Sequence, residues 1–346
     1  MAVIVQSTVN PERVLRALEE LVDAGVQEVR IAVAYATLSG SRLLHNILQA
    51  RAGITHWATV NKTLVTAVDY GITEPDALSW WMEIPNASVL LQNAELIVQG
   101  TLVPAVAFHP KYYEFRYARE VRFAIGSANL TERALTLNRE AVALHRGSQR
   151  EADSLWNDLI VGAVPLSKGL LAEYRRVRRR NPPIAEPTVP TPPRPPGRTL
   201  WSAITVHGFD PTKFENFWVE TGSMTSGGSR NQLELPRGAN HFFGFFFDDY
   251  NQKPGEIGRL TLELGSWTEG GRSLRWHGSN MMERLNLPTG PNYSNSLVLF
   301  RRKPDGFQVH VSLATSDRAK SWRNASYLIG HAYRVGEASP RWCGFF

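Results

Sequence analysis

Val103-Pro104-Ala105-Val106-Ala107-Phe108-His109-Pro110-Lys111 is followed by Gly126-Ser127-Ala128-Asn129 and then by Asn138-Arg139-Glu140. From His109 to Glu140 this window of 32 residues collects an imidazole, an ammonium, a hydroxyl, a carboxamide and a carboxylate. These groups suit attack on a phosphodiester. An imidazole can form a covalent phosphoryl adduct. Lys111, Ser127 and Asn129 can hold phosphoryl oxygens as charge builds. Glu140 can fix the tautomer of the imidazole, the role of the third group in triad logic. The catalytic candidates are therefore His109, Lys111, Ser127, Asn129 and Glu140.

The flanking pattern reads as alternating strands and helices. The apolar run 103–108 is expected as a strand leading into His-x-Lys, with His109 and Lys111 projecting to one face because strand side chains alternate. Val121 to Ile125 reads as the next strand and Leu130 to Leu135 as a helix start. Glu140 to Leu144 reads as a further buried strand. Upstream, Pro11 to Ala24, Ser41 to Ala50 and Pro75 to Met82 read as helices. Val29 to Tyr35, Trp57 to Val60 and Val89 to Leu91 read as strands. The expectation is an α/β domain with helices over a mixed sheet. Trp80-Trp81-Met82 fits helix packing better than a base-stacking site. Tyr35 and Thr37 fall at a strand exit, where ligands of α/β sheets gather.

The ordered triple of motifs resembles the phospholipase D superfamily, and within it the BfiI- and NgoFVII-type metal-independent restriction endonucleases. The resemblance implies an N-terminal nuclease domain and a C-terminal B3-type DNA-reading domain. It also implies cleavage through a covalent phosphohistidine without metal or other cofactor, and the cytoplasm of a prokaryotic cell. Double-stranded DNA is the implied partner, with a cognate methyltransferase or ATPase as a further possible one. One position departs from the broader superfamily: the Asp expected five residues after the Lys is Arg116, a loss shared with the restriction branch. Two other readings stay open. One is a lipid-directed phosphodiesterase or phosphatidyltransferase of the same superfamily. The other is a DNA-binding protein whose nuclease needs a partner ATPase.

None of the other eight histidines has a Lys two residues later. Two-step phosphoryl transfer calls for two imidazoles, a nucleophile and an acid for the leaving oxygen. A single motif copy therefore implies a homodimer with one composite site on its two-fold axis.

The chain has 346 residues, a formal charge of +6 and one cysteine, Cys343. An intramolecular disulfide and a Cys-based zinc site are excluded, which fits a reducing compartment. No apolar run is long enough for a membrane span, and no secretory signal is visible at Met1 to Gln6. The basic charge moderately favours a polyanionic partner. Arg175, Arg176, Arg178, Arg179 and Arg180 are either a phosphate-backbone contact or a solvated helix end favoured by the helix dipole.

Residues 181–198 carry eight of the 21 prolines, which favours an extended, semi-rigid spacer. The organisation is thus 1–180 nuclease and dimerisation domain, 181–198 linker and 199–346 recognition domain. The last part shows short apolar runs split by turn residues. Runs at 242–247, 259–264, 296–300 and 307–311 suggest a mostly β sandwich or open barrel, and the resemblance implies a B3-like pseudobarrel. The aromatic run 242–247 reads as sheet core rather than as a base-stacking platform. Two polar loops are the candidate DNA contacts: 226–232, with Arg230, Asn231 and Gln232, and 318–324, with Lys320 and Arg323. Arg pairs with guanine, and Asn or Gln with adenine, in the major groove.

Overall fold

The computed structural model describes residues 2–183, 192–224, 230–246, 255–265 and 267–346. By internal contacts the chain divides into two compact units, the division falling in the proline-rich stretch.

The first unit holds β1 (Ala2–Gln6), α1 (Arg13–Glu20), β2 (Glu28–Val33), α2 (Leu38–Ala52), α3 (Ile54–Thr59) and β3 (Asn61–Ala67). It continues with α4 (Pro75–Trp81), β4 (Ala87–Gln92), α5 (Glu95–Gln99), β5 (Lys111–Arg116), β6 (Val121–Gly126) and α6 (Glu132–Thr136). β7 (Glu140–Gly147), α7 (Gln149–Ile160), β8 (Val164–Pro165) and α8 (Lys168–Arg180) complete it. The eight strands form one sheet in the order β1-β7-β6-β5-β2-β3-β4-β8. β2, β3 and β4 run parallel, whereas β5 is antiparallel to β2, β6 to β5 and β7 to β6.

Both faces of this sheet are covered, as a parallel centre requires. On one face Leu15, Leu18, Leu44, Leu48, Leu78 and Tyr174 pack from α1, α2, α4 and α8 onto Ile31, Val33 and Leu64. On the other, Ala152 and Trp156 of α7 cover Ala32, Val65, Tyr112 and Phe123.

Three local expectations are corrected. Residues 103–108 are not a strand. Val103 is 67% and Val106 81% exposed and Phe108 is partly buried, so little apolar burial draws the segment into the sheet, and strand pairing begins at Lys111. Trp57-Ala58-Thr59 lies in helix α3, because a four-residue apolar run does not distinguish strand from helix. β7 is a strand as expected but mostly part-exposed, with Val142 its one fully buried residue.

The second unit begins with α9 (Leu200–His207), β9 (Asn216–Glu220), β10 (Gln232–Leu235) and α10 (Ala239–Phe242). β11 (Glu256–Leu264), β12 (Trp267–His277), β13 (Met282–Asn286), β14 (Ser296–Lys303) and β15 (Gly306–Leu313) follow. α11 (Asp317–Leu328), β16 (Ala332–Arg334) and β17 (Trp342–Phe345) end the chain. The nine strands are ordered β10-β13-β12-β11-β15-β14-β9-β17-β16, with β10 and β16 at the edges. One core gathers Phe217, Phe242, Phe300 and Phe345, and a second packs Trp322 of α11 against Trp218 and Leu299. The unit is mostly β, as the sequence indicates, but the expected strand at 242–247 is replaced. Phe242 ends helix α10, Phe243 is buried beside it, Phe246 is 70% exposed, and Phe247 lies outside the described residues. No helix among the described residues is long and apolar enough to cross a membrane.

Candidate active site

Strand direction assembles the site. β5 and β6 are antiparallel, as are β6 and β7. The start of β5, the exit of β6 and the start of β7 therefore share one end of the sheet. Lys111, Ser127 and Glu140 occupy those three positions. The exit of β2 falls at the same end, because Val33 pairs with Lys111, and it delivers Tyr35.

The two halves of His-x-Lys meet directly. Lys111 Nζ lies 2.9 Å from His109 Nδ1 and donates to the His109 carbonyl at 3.0 Å. Lys111 is buried and His109 exposed. Burial, then the adjacent ammonium, hold the His109 imidazole below its ordinary pKa. Burial also lowers Lys111, opposed by the Glu140 carboxylate. The Tyr35 ring stands edge-on to His109 with centroids 6.3 Å apart.

Ser127 Oγ–H donates to the Glu140 carboxylate. The same oxygen accepts Ala141 N–H at 3.0 Å, and Ser127 N–H donates to Ala141 O at 3.0 Å. This close pairing explains Gly126: a Cβ there would sit 2.1 Å from Ala141 O and 2.8 Å from Val142 Cα, both backbone. The expected role of Glu140 as the orienter of His109 is not seen within one chain. Among the described residues its carboxylate is bonded to Ser127, and the group at His109 Nδ1 is Lys111.

Asn129 Oδ1 accepts Tyr35 N–H at 3.2 Å. This bond and the backbone pairing of Leu130 with Tyr35 and Thr37 stitch the β6 exit to the β2 exit. Tyr113, fully buried in β5, supports the turn from below by donating to Ala128 O at 3.1 Å. Gly40 lets α2 cross here, since a Cβ on it would lie 2.6 Å from Leu130 O. Thr37 serves α2 as its N-cap, accepting Gly40 N–H at 3.2 Å.

Two residues that sequence reasoning missed hold the approach to His109. Asp69 is fully buried, and its carboxylate accepts Phe108 N–H at 2.9 Å. It also accepts Asn93 Nδ2–H at 2.9 and 3.1 Å, and Asn93 donates in addition to Val106 O at 3.2 Å. Burial raises the Asp69 pKa despite these donors. A lone Asp and a lone Asn, 40 and 16 residues from His109, leave no spacing signal. Asn93 is at φ 56°, a left-handed conformation that Asn tolerates. Arg178 of α8 braces the same corner by donating to Gly71 O at 2.6 Å.

Arg116, which stands where the motif resemblance leads to an expected Asp, lies at the far end of β5. It joins a largely buried ionic group, 3.1 Å from Glu114 and 2.6 Å from Asp153, with Arg30 beside them. Of the arginine run at 175–180, Arg175 pairs with Asp76 at 3.0 Å and Arg176 with Glu173. Arg179 and Arg180 are exposed in the last turn of α8.

The candidate DNA contacts have separate settings. Arg230 is exposed ahead of β10. Asn231 Nδ2 donates to Leu287 O at 3.1 Å, and Gln232 opens β10; residues 226–229 lie outside the described residues. The second candidate is not a loop. Ser316 caps helix α11 by accepting Ala319 N–H at 3.1 Å, and Ala319, Trp322 and Ala325 are buried. Lys320 is paired with Asp317 at 2.8 Å, whereas Arg323 is held by Glu220 at 3.0 Å and by Ala314 O at 2.6 Å.

No family model matches the chain, and no curated protein matches it. Among solved structures it is similar to NucT from Helicobacter pylori at 16% identity and a TM-score of 0.35, over 48% of this chain and 98% of that one. It is similar to Nuc, a phospholipase D family member from Salmonella typhimurium, at 15% identity and a TM-score of 0.35, over 48% and 99%. Phosphatidylserine synthase from Haemophilus influenzae matches at 12% identity and a TM-score of 0.33, over 52% and 45%. At this level these likenesses carry no argument, and the functional reading rests on the site itself.

Proposed function

We propose that the protein is a metal-independent DNA endonuclease of restriction type, a phosphodiesterase acting through a phosphohistidine in one composite site per homodimer. The carrying observation is the direct contact of Lys111 Nζ with His109 Nδ1 at the end of the sheet that also bears Ser127, Asn129 and Glu140.

The contact has a chemical consequence. An ammonium only donates, so Nδ1 accepts and the neutral ring carries its proton on Nε2. Giving up that proton would leave an imidazolate, so the acid must be an imidazole already protonated on both nitrogens. Binding of a phosphodiester draws Lys111 toward the phosphoryl oxygens and frees Nδ1 to take the proton. Nε2 then presents its lone pair to phosphorus. The Nε2–P bond forms as the bond from phosphorus to the 3′ oxygen breaks, and the partner's His109, as the imidazolium, delivers its Nε2 proton to that oxygen and is left neutral. In the second step water attacks phosphorus, the N–P bond breaks, and the same partner imidazole accepts the water proton. A 5′-phosphate is released. Lys111 and the amide N–H groups of Asn129 neutralise the developing charge, and Ser127 with Glu140 fixes the turn that carries Asn129. In this reading the second unit, a B3-like recognition domain, selects the site.

The test is cleavage of a large mixed-sequence DNA in excess EDTA by wild type and His109→Ala. Discrete fragments from wild type alone support the reading. A smear removes the sequence specificity, and no cleavage by either removes autonomous nuclease activity.

A further inference from the structure

We infer that the solvent-facing side of β10, β13 and β12 is a surface that reads base edges in the major groove of duplex DNA, through Gln232, Arg275, Arg284 and Asn286. This rests on the reading of the protein as a site-selective DNA endonuclease and names the surface that would do the selecting.

Strand alternation separates two faces. Leu233 and Leu235 of β10, Leu285 of β13, and Leu274 and Trp276 of β12 are buried. Their neighbours Gln232, Glu234, Arg284, Asn286 and Arg275 turn the other way, part-exposed or exposed. The register sets Gln232 opposite Asn286, Glu234 opposite Arg284, and Arg284 opposite Arg275. Two hollows of about 430 and 480 Å³ open on this side, and both are lined by Gln232 and Arg284. Arg275 and Asn286 line the larger one.

Three observations point to a nucleic acid. First, Arg275 and Arg284 are direct cross-strand partners, and like charges so placed repel. Glu234 offsets one of them, holding Arg284 at 3.1 Å while it also takes Arg341 at 3.3 Å and Asn280 at 2.8 Å. Arg275 faces Glu256 across β11 and spends its Nε on Ser273 Oγ at 3.0 Å, while its terminal nitrogens make no hydrogen bond to another described residue and remain open to an acceptor on a base. Second, the side-chain amides of Gln232 and Asn286 make no hydrogen bond to another described residue. They offer the paired donor and acceptor that adenine requires, as the two guanidinium forks do for guanine. Third, the spacing fits. Alternate residues on a strand are ~6.6 Å apart, about two base steps of ~3.4 Å, and a major groove ~12 Å wide admits a two-stranded ribbon. Helix α11 lacks these properties, since Arg318 is buried and Arg323 is clipped to Glu220.

The test is selection of a duplex pool with a random core by the full-length chain, carrying His109→Ala so that bound DNA is not cut. The parent is compared with Arg275→Ala and Asn286→Ala, both at exposed positions, and with Lys320→Ala on α11. Thermal melting checks that each variant folds as the parent does. The expected result is a motif enriched by the parent and by Lys320→Ala. Each strand variant should lose about tenfold or more in affinity for that motif and relax its preference at one position. An unchanged motif and affinity in the strand variants would overturn the surface assignment and leave the nuclease reading intact. Equal weakening on all sequences would assign these side chains to phosphates and overturn base reading. No motif from the parent would overturn the site-selective reading together with this inference.

Discussion

Lys111 Nζ lies 2.9 Å from His109 Nδ1, so an ammonium, and not a carboxylate, governs which nitrogen of the ring carries the proton. The pairing also sets the pH range of the chemistry. A nucleophilic imidazole must be neutral, and burial together with Lys111 lowers the His109 pKa from its ordinary 6.5. The acid limb of the pH–rate profile is therefore expected below that value. Lys111→Met keeps an apolar stem and removes the like charge, so the imidazole should hold its proton to higher pH. The limb should move upward in pH, with kcat lowered about a hundredfold by the lost phosphoryl contact. A limb that stays in place in single-turnover profiles would separate Lys111 from His109 protonation.

Asp69 predicts a different kinetic signature. It holds Phe108 N–H directly, and through Asn93 it holds Val106 O, yet its buried carboxylate makes no hydrogen bond to a catalytic candidate among the described residues. Asp69→Asn places a second amide among groups that already donate. The segment before His109 should shift, and displacements of about 1 Å at a reacting group cost up to ~100-fold in rate. The loss should fall on kcat with KM little changed, because no group proposed to bind phosphate is removed. Asn93→Ala should reproduce it in weaker form. Equal losses in kcat and thermal stability, recovered together at lower temperature, would point to a purely structural role.

Arg116 stands where the motif resemblance leads to an expected Asp, and the ion group explains why that residue would not serve here. Glu114 is fully buried, and burial raises its pKa against the neighbouring Arg30 and Arg116. Asp153 and Glu28 also face Arg116. Arg116→Asp would set a fourth carboxylate among three. Removing one partner of a buried pair typically costs about 3–5 kcal/mol, and urea denaturation should show a loss of at least that order. Arg116→Lys keeps the charge and should recover much of it.

The site was more legible than its supports. The three motifs could be found because antiparallel neighbours with short connections bring residues close in sequence to one sheet end, as with Lys111, Ser127 and Glu140. The strand expected at 103–108 failed because apolar content was read as burial, whereas Val103 and Val106 face outward and Asp69 and Asn93 hold the segment by polar bonds. Those two residues come from the ends of parallel strands β3 and β4, a long-range arrangement that no local pattern encodes. In the second unit, the run from Arg318 to Asn324 looked like a polar loop because its charges were counted before its cap. Ser316 and the spacing of Ala319, Trp322 and Ala325 are the signals that mark α11.

The single copy of His-x-Lys leads to the last prediction. If one composite site needs two His109 side chains, each subunit is half of an active centre. A heterodimer of wild type with His109→Ala then lacks either the nucleophile or the acid. When the two chains are mixed under conditions that exchange subunits, activity should follow the square of the wild-type fraction. An equal mixture should retain roughly a quarter of the wild-type rate. Independent sites, one per chain, would instead give a straight line with about half the rate at equal mixing. The measurement is cleavage rate against mixing ratio at constant total protein, with exchange verified by tagged subunits. A linear plot would remove the shared site and require a second proton donor within the chain. Tyr35 would then be the first residue to substitute, since its ring stands edge-on to His109.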